Sequence, residues 1–130
     1  MKFAISVHGA PFSSSAAHSA YRFAEATLDA GHEITRVFFY HDAVRTGDRL
    51  SVPPQEEDSV IERWAALSKN HSIELAVCIA ASLKRGVIND EARDRYEKPA
   101  ANLHPAFTIV GLGQLIDAIA SADRFISFGA

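Results

Sequence analysis

The sequence predicts an α/β fold: a mostly parallel sheet covered by helices on both faces, in a flavodoxin-like or Rossmann-like three-layer sandwich. Three observations predict it. Short apolar runs alternate with segments of helical periodicity along the whole chain. Runs such as Phe3–Val7 are apolar at nearly every position, as strands buried on both faces require. The connections are long enough to hold crossover helices, which run right-handed in a parallel sheet.

The elements follow in order. Phe3 to Val7 forms a first strand, ended by His8-Gly9-Ala10-Pro11-Phe12. Ser13, Ser14 or Ser15 caps a helix carrying Ala16, Ala17, Ala20, Phe23, Ala24, Thr27 and Leu28 at helical spacing. Gly31 closes that helix where a left-handed residue is required. Glu33 to Tyr40 is a second strand, and His41 to Gln55, with Gly47, Pro53 and Pro54, is expected as a long surface loop. A second helix is expected from Glu57 to Asn70, with Val60, Ile61, Trp64, Ala65 and Leu67 inward. Asp58 and Glu62 suit its start and Lys69 its last turn.

Ile73 to Ile79 is the third strand, followed by a helical turn that Gly86 interrupts and by a short helix capped at Asn89 or Asp90 and running to Tyr96. Lys98 to Pro105 is a loop and Phe107 to Val110 a short strand. Leu112 to Ala122 is a helix bearing Leu115, Ile116, Ile119 and Ala120, and Arg124 to Phe128 is the last strand. No repeat or linker interrupts this order, so residues 1–130 are expected to form a single domain.

Composition narrows the function. The 130 residues are 48% hydrophobic, enough for a core without staples, and the net charge of −3 opposes a nucleic-acid binder working through a broad basic patch. It gives no reason to expect an anionic membrane as partner. The apolar start, Phe3 to Val7, is too short for a signal peptide, and no stretch is long enough to span a bilayer. One cysteine makes neither an internal disulfide nor a multi-cysteine zinc site, so a reducing cytoplasm is the expected location.

That cysteine, Cys78, is the principal candidate for chemistry. The apolar run Ile73–Cys78 delivers its sulfur to the C-terminal end of a strand, where ligands gather in open α/β sheets. A buried cysteine is also a good packing residue. At the start of a helix, however, unpaired N–H groups favour the thiolate, and Lys84 and Arg85 further along add positive potential. Such a thiol is expected to stand accessible at a polar rim, as a nucleophile or a persulfide carrier. With no second cysteine, reversible disulfide chemistry needs another protein.

Other candidates are weaker. Gly9–Ser15 joins a strand to a helix start and could hold a phosphate. It has neither paired dinucleotide-type glycines nor a Walker lysine, so a serine-capped turn is the simpler reading. Gly111-Leu112-Gly113 reads as a strand-to-helix turn. No histidine pair has the i, i+4 spacing of a metallohydrolase helix. His8 is the histidine placed to share the sheet edge with Cys78, and His41 and His104 lie in loops expected to frame that edge. The local signatures of cysteine hydrolases are absent. Trp64, Phe38 and Phe39 are expected in the core, and Phe12 at a subunit contact.

Several blocks together resemble the DsrE/TusD family of sulfur-trafficking proteins over nearly the whole chain. They are Ser19–Ala24, Gly31–Ile34, Val37–Tyr40, Val77–Ala81 with Arg85-Gly86, Asn102-Leu103 and Gly111–Gly113. Lys84 stands where the family often has an arginine, which keeps the charge but loses a planar fork. The resemblance implies a flavodoxin-like fold, no cofactor or metal, and a persulfide carried on Cys78, the residue matching the family's reactive position. It also implies a heterohexamer with DsrF/TusC-like and DsrH/TusB-like subunits, a TusA-like sulfur donor and a DsrC/TusE-like acceptor. The pathway is then dissimilatory sulfur oxidation or 2-thiouridine formation in tRNA. His41-Asp42, Pro53–Gln55, Leu103–Pro105 and Gly113–Leu115 lie closer to the DsrE side, which favours oxidation. The alternative is a flavodoxin-like phosphate- or nucleotide-binding module whose cysteine is inert.

Overall fold

Strands β1 (Lys2–Val7), β2 (Glu33–Phe39), β3 (Glu74–Cys78), β4 (Phe107–Val110) and β5 (Arg124–Phe128) form one five-stranded sheet in the order β4-β3-β2-β1-β5. Every pairing is parallel, as the sequence predicts. The coordinates are a computed structural model and describe residues 1–55 and 58–129. Helices α1 (Ala16–Asp29), α2 (Val60–His71), α3 (Ile79–Lys84), α4 (Asp90–Arg95) and α5 (Gly113–Ser121) lie between the strands. Among the described residues no helix is long and apolar enough to cross a membrane.

Strand order decides where the helices go. From β1 to β4 the chain moves in one direction, so right-handed crossovers place α1 and α2 on one face. The step from β4 back to β5 reverses direction and sends α5 to the other. Register sorts the side chains accordingly. Ile5, Val37, Leu75 and Phe107 are aligned across the sheet, as are Val7, Phe39, Val77 and Ile109, and these rows face α1 and α2. Trp64 of α2 stands edge-on to Phe39 and to Tyr21 of α1, each at 5.5 Å, and its indole N–H donates to the Ala17 carbonyl at 3.3 Å. The opposite face carries Ser6, Phe38 and Ala76 in one row, with Arg36 and Glu74 in the next.

Arg36 fastens α5 to that face. Its guanidinium is 2.6 Å from Glu74, donates to the Gln114 carbonyl at 2.7 Å and lies 3.6 Å from Asp117. Only Ala118 of α5 is fully buried. Of the apolar residues at this helix, Ile116 is 64% exposed, and Leu112 and Ile119 are also exposed. The helix sits on Ala118 and the partly buried Leu115 and turns Ile116 and Ile119 outward.

The segment after β2 differs from expectation too. His41–Gly47 is a 3₁₀ helix with Ala43, Val44, Thr46 and Gly47 buried, rather than the start of a surface loop. Gly47 fits closely there: a Cβ would stand 3.2 Å from Leu103 and 3.4 Å from Val77. The start of the second helix expected at Glu57 lies outside the described residues. Within them α2 opens at Val60, where the Ser59 hydroxyl accepts the Glu62 N–H at 3.2 Å. Gly31 and Gly86 hold φ of +87° and +73°, ending α1 and α3 as the sequence predicts. Asn89 caps α4, its side-chain oxygen accepting the Ala92 N–H at 2.9 Å.

Candidate functional site

Cys78 closes β3, pairs with Val110 of β4, and is the N-cap residue of α3 with extended backbone (φ −66°, ψ 126°). A strand that ends in a helix within one residue must bring its last side chain to the C-terminal edge of the sheet. The expected position is thus observed, but the expected accessibility is not. Cys78 is 3% exposed, while Ile79, the next residue, is 45% exposed. The chain passes from core to surface in a single step, leaving the thiol just beneath it. The cause is packing: α3 lies against the 3₁₀ helix as well as β3 and β4, and these close over the strand end.

The α3 helix is amphipathic around this residue. Cys78, Ala81 and Ser82 are buried, whereas Ile79, Ala80 and Lys84 are exposed. Arg85 does not lend Cys78 a free positive charge. Its Nε donates to Asp42 at 2.7 Å and its Nη1 to the Ala81 carbonyl at 3.3 Å, tying the end of α3 to the start of the 3₁₀ helix. The hydrogen bond from Arg85 holds the Asp42 carboxyl below the usual carboxylate range. That contribution to stability is present above the ordinary carboxylate pKa and is lost as pH falls through the lowered value in the folded state.

Histidines occupy the same edge without reaching Cys78. The point where the strand order reverses lies between β1 and β5, where the His8 N–H donates to the Phe128 carbonyl at 3.0 Å. The His8 ring hydrogen-bonds to Ser6 at 2.5 Å and lies 3.4 Å from the Ser127 hydroxyl. It stands 5.4 Å from the His41 ring, which packs on Tyr40 at 4.1 Å. Burial, and then the His41 charge, lower the His8 pKa from its ordinary value. Since β1 and β3 are separated by β2, His8 is about 10 Å from the β3 line and is no direct base for Cys78. His104 is not brought there. Ahead of β4, its Nδ1 accepts the Ala106 N–H at 3.0 Å and its Nε2 meets Glu62 of α2 at 3.2 Å. Among the described residues no group of three or more histidine, cysteine or carboxylate side chains could hold a metal ion.

The serine loop is occupied with its own folding. The Ser14 hydroxyl accepts the Ala16 N–H at 3.1 Å, and its N–H donates to the Ala10 carbonyl at 3.0 Å. Its side chain presses on Gly9, where a Cβ would lie 2.2 Å from Ser14 Oγ. This is a tight serine turn; Ser15, the N-cap residue of α1, makes no side-chain cap hydrogen bond, so the expected serine cap is not formed, and the turn does not favour the phosphate-binding alternative. Trp64 is buried, as expected, and Phe12 is exposed.

Two features escaped sequence reasoning. One is the Arg36 clamp. The other is a pair of buried hydroxyls: Thr46 Oγ1 and Ser82 Oγ have no hydrogen-bond partner among the described residues. Neither carries a sequence signal, because satisfaction depends on tertiary neighbours.

An open parallel sheet with a lone thiol at a strand-to-helix junction defines a class of small α/β proteins, and comparison narrows it. Residues 1–128 match the DsrE/DsrF-like family, and the chain belongs to it. It is 46% identical over 129 residues to a DsrE protein of Allochromatium vinosum, covering 99% of both chains. It is 41% identical over 128 residues to sulfurtransferase TusD of Salmonella arizonae, covering 98% of this chain and all of that one. A sulfurtransferase TusD homolog of Pseudomonas aeruginosa is 46% identical over 129 residues, with 99% and 98% covered. The crystal structure of the ychN protein from E. coli superposes with a TM-score of 0.78 at 22% identity, over 98% of this chain and 99% of that one, which establishes the common fold.

Proposed function

We infer that this chain is a sulfurtransferase of a sulfur relay, and that Cys78 carries the sulfur. The observation that carries the reading is the placement of the chain's only thiol at the β3–α3 junction. The full-length likeness to proteins named as sulfurtransferases supports it.

The chemistry is exchange of sulfane sulfur. The Cys78 thiolate attacks the outer sulfur of a donor persulfide, R–S–SH. A new S–S bond forms at Cys78, the donor S–S bond breaks, and R–S⁻ leaves, so nothing is oxidised or reduced overall. In the second half an acceptor thiolate attacks the outer sulfur on Cys78, taking it as a persulfide and returning the Cys78 thiolate. The first amides of α3 have no intrahelical acceptor and lie at the end of the helix that Cys78 opens. No cofactor enters either step.

The likeness to DsrE and TusD proteins supports a particular set of partners. The donor is TusA-like, the acceptor DsrC/TusE-like, and the working assembly a heterohexamer with DsrF/TusC-like and DsrH/TusB-like subunits in the cytoplasm. The outward apolar residues of α5 supply a surface suited to such subunits. A thiol 3% exposed in the single chain implies that donor and acceptor gain it by displacing part of the α3 cover as they dock. Of the two pathways, dissimilatory sulfur oxidation is favoured over tRNA thiolation by the DsrE-like blocks.

Incubation with a persulfide donor is expected to add one sulfur atom to the intact protein, and Cys78→Ser is expected to abolish the gain. Equal loading of Cys78→Ser would overturn the assignment.

A further inference from the structure

The helix that follows Cys78 has few ties. At 6 residues α3 is too short to persist alone in water, so it is held by what it packs on. It starts where β3 ends, and it lies against β4 and the 3₁₀ helix. Beyond its end the Asn102 side chain pins the chain, donating to the Gly86 carbonyl at 3.0 Å and accepting the Ile88 N–H at 2.8 Å. Between these two anchors, among the described residues, one side-chain hydrogen bond joins residues 79–85 to another element. It is the bond from Arg85 Nε to Asp42 at 2.7 Å. It runs from the last residue of the α3 segment to the start of the 3₁₀ helix, and these are two of the elements that close over the strand end. The same guanidinium donates to the Ala81 carbonyl at 3.3 Å, so it holds the last turn of α3 to itself as well. The Arg85 side chain is 21% exposed and that of Asp42 62%, so the pair meets solvent on its carboxylate side.

We propose that Asp42 and Arg85 are positioning residues that latch α3 over Cys78, and that sulfur exchange takes place while the pair is parted. The inference rests on the reading of Cys78 as the sulfur carrier and names the contact that a donor or acceptor undoes to reach it. The latch makes and breaks no covalent bond, and both residues keep their charge. With the pair joined, the thiol is 3% exposed. With it parted, α3 is free to swing from the 3₁₀ helix between its join to β3 and Gly86, whose φ of +73° marks the turn.

The test is the rate at which iodoacetamide, a small neutral reagent, alkylates Cys78 in the full chain. It is read by intact mass for wild type, Asp42→Asn, Arg85→Ala and the double variant. Arg93→Ala, which breaks ion pairs on α4 instead, is the control. Each single latch variant is expected to react about three- to fivefold faster than wild type, the upper range for a partly exposed ion pair. The double variant is expected to react no faster than the quicker single, and Arg93→Ala at the wild-type rate. The shared direction is diagnostic. One variant removes a negative charge and the other a positive one, so an effect through charge alone would move them oppositely. Opposite shifts overturn the proposal, as do wild-type rates in both singles or effects that add in the double. Opening of α3 alone exposes little surface, so the rate is expected to rise with urea less steeply than global unfolding does. An equally steep rise overturns the proposal. The same proteins are then given glutathione persulfide, and the single variants are expected to gain sulfur faster by a similar factor. Faster alkylation with unchanged sulfur gain overturns the role in exchange. If wild type gains no sulfur while the single variants still alkylate faster, the carrier reading fails and the latch stands as a guard of the thiol alone.

Discussion

The two faces of the sheet are built by different means. On the α1 and α2 side, aligned rows of Ile, Val, Leu and Phe meet Trp64, Phe23 and the alanines of α1, and the contact is almost wholly apolar. On the other side a single helix sits on Ala118 and is held by Arg36 through Glu74, Asp117 and the Gln114 carbonyl. The first face stabilises the chain by area removed from water. The second is a polar clasp under a helix that tucks in Leu115 and turns Ile116 and Ile119 outward. One face is thus finished within the chain, while the other leaves Ile116 and Ile119 exposed, the surface proposed above for a partner subunit.

Substitutions that separate the faces sharpen or break this contrast. The largest effect is expected at Trp64, fully buried between α1 and β2. Trp64→Ala is expected to cost about 3–5 kcal/mol in denaturant unfolding. A loss below about 1 kcal/mol would contradict the assignment of the core to this face. Next comes the clasp. Arg36→Ala strands Glu74 and frees the start of α5, for an expected loss of about 1–3 kcal/mol, because hydrogen bonds to charged groups are broken. High salt should mimic only a small part of that loss, since Arg36 is largely shielded from solvent. The smallest effect on the isolated chain is expected at Ile116. Ile116→Glu should change stability by no more than about 0.5 kcal/mol, as for other exposed positions. The same variant mixed with the two partner subunits should elute smaller than wild type in gel filtration. A clear loss of stability with unchanged assembly would show that α5 serves its own chain alone.

Much of this architecture is legible in the sequence, and the reasons show where legibility ends. β1 and β3 can be read because strands buried on both faces are apolar at successive positions, as in Phe3–Val7 and Leu75–Cys78. Gly31, Gly86 and Asn89 can be read because left-handed residues and caps are local requirements. The outward turn of α5 cannot. An amphipathic stripe tells that Leu115, Ile116 and Ile119 want cover, and not whether the cover is this sheet or another chain. The 3₁₀ helix at His41–Gly47 is hidden because seven residues give too little periodicity, and because its burial comes from Val77, Leu103 and Phe107, remote in sequence. Arg36 and Gln114 are 78 residues apart, so nothing local announces their bond.

The same division holds at the site. The place of Cys78 at the end of a strand follows from the apolar run before it. Its near-complete burial does not, since that depends on α3 folding back against the 3₁₀ helix. Nor does the neutralisation of Arg85, which requires Asp42 from another element. His8 and His41 come together because β1 and β2 are adjacent, while His104 is drawn off toward α2.

The most direct test of the central claim is to locate the transferred sulfur. The chain, assembled with its partner subunits, is exposed to a persulfide donor, alkylated and digested, and the peptide containing Cys78 is weighed. The account predicts one added sulfur on that peptide, which a thiol acceptor then removes. Sulfur transfer through the complex with the Cys78 peptide unmodified at every time point would contradict it.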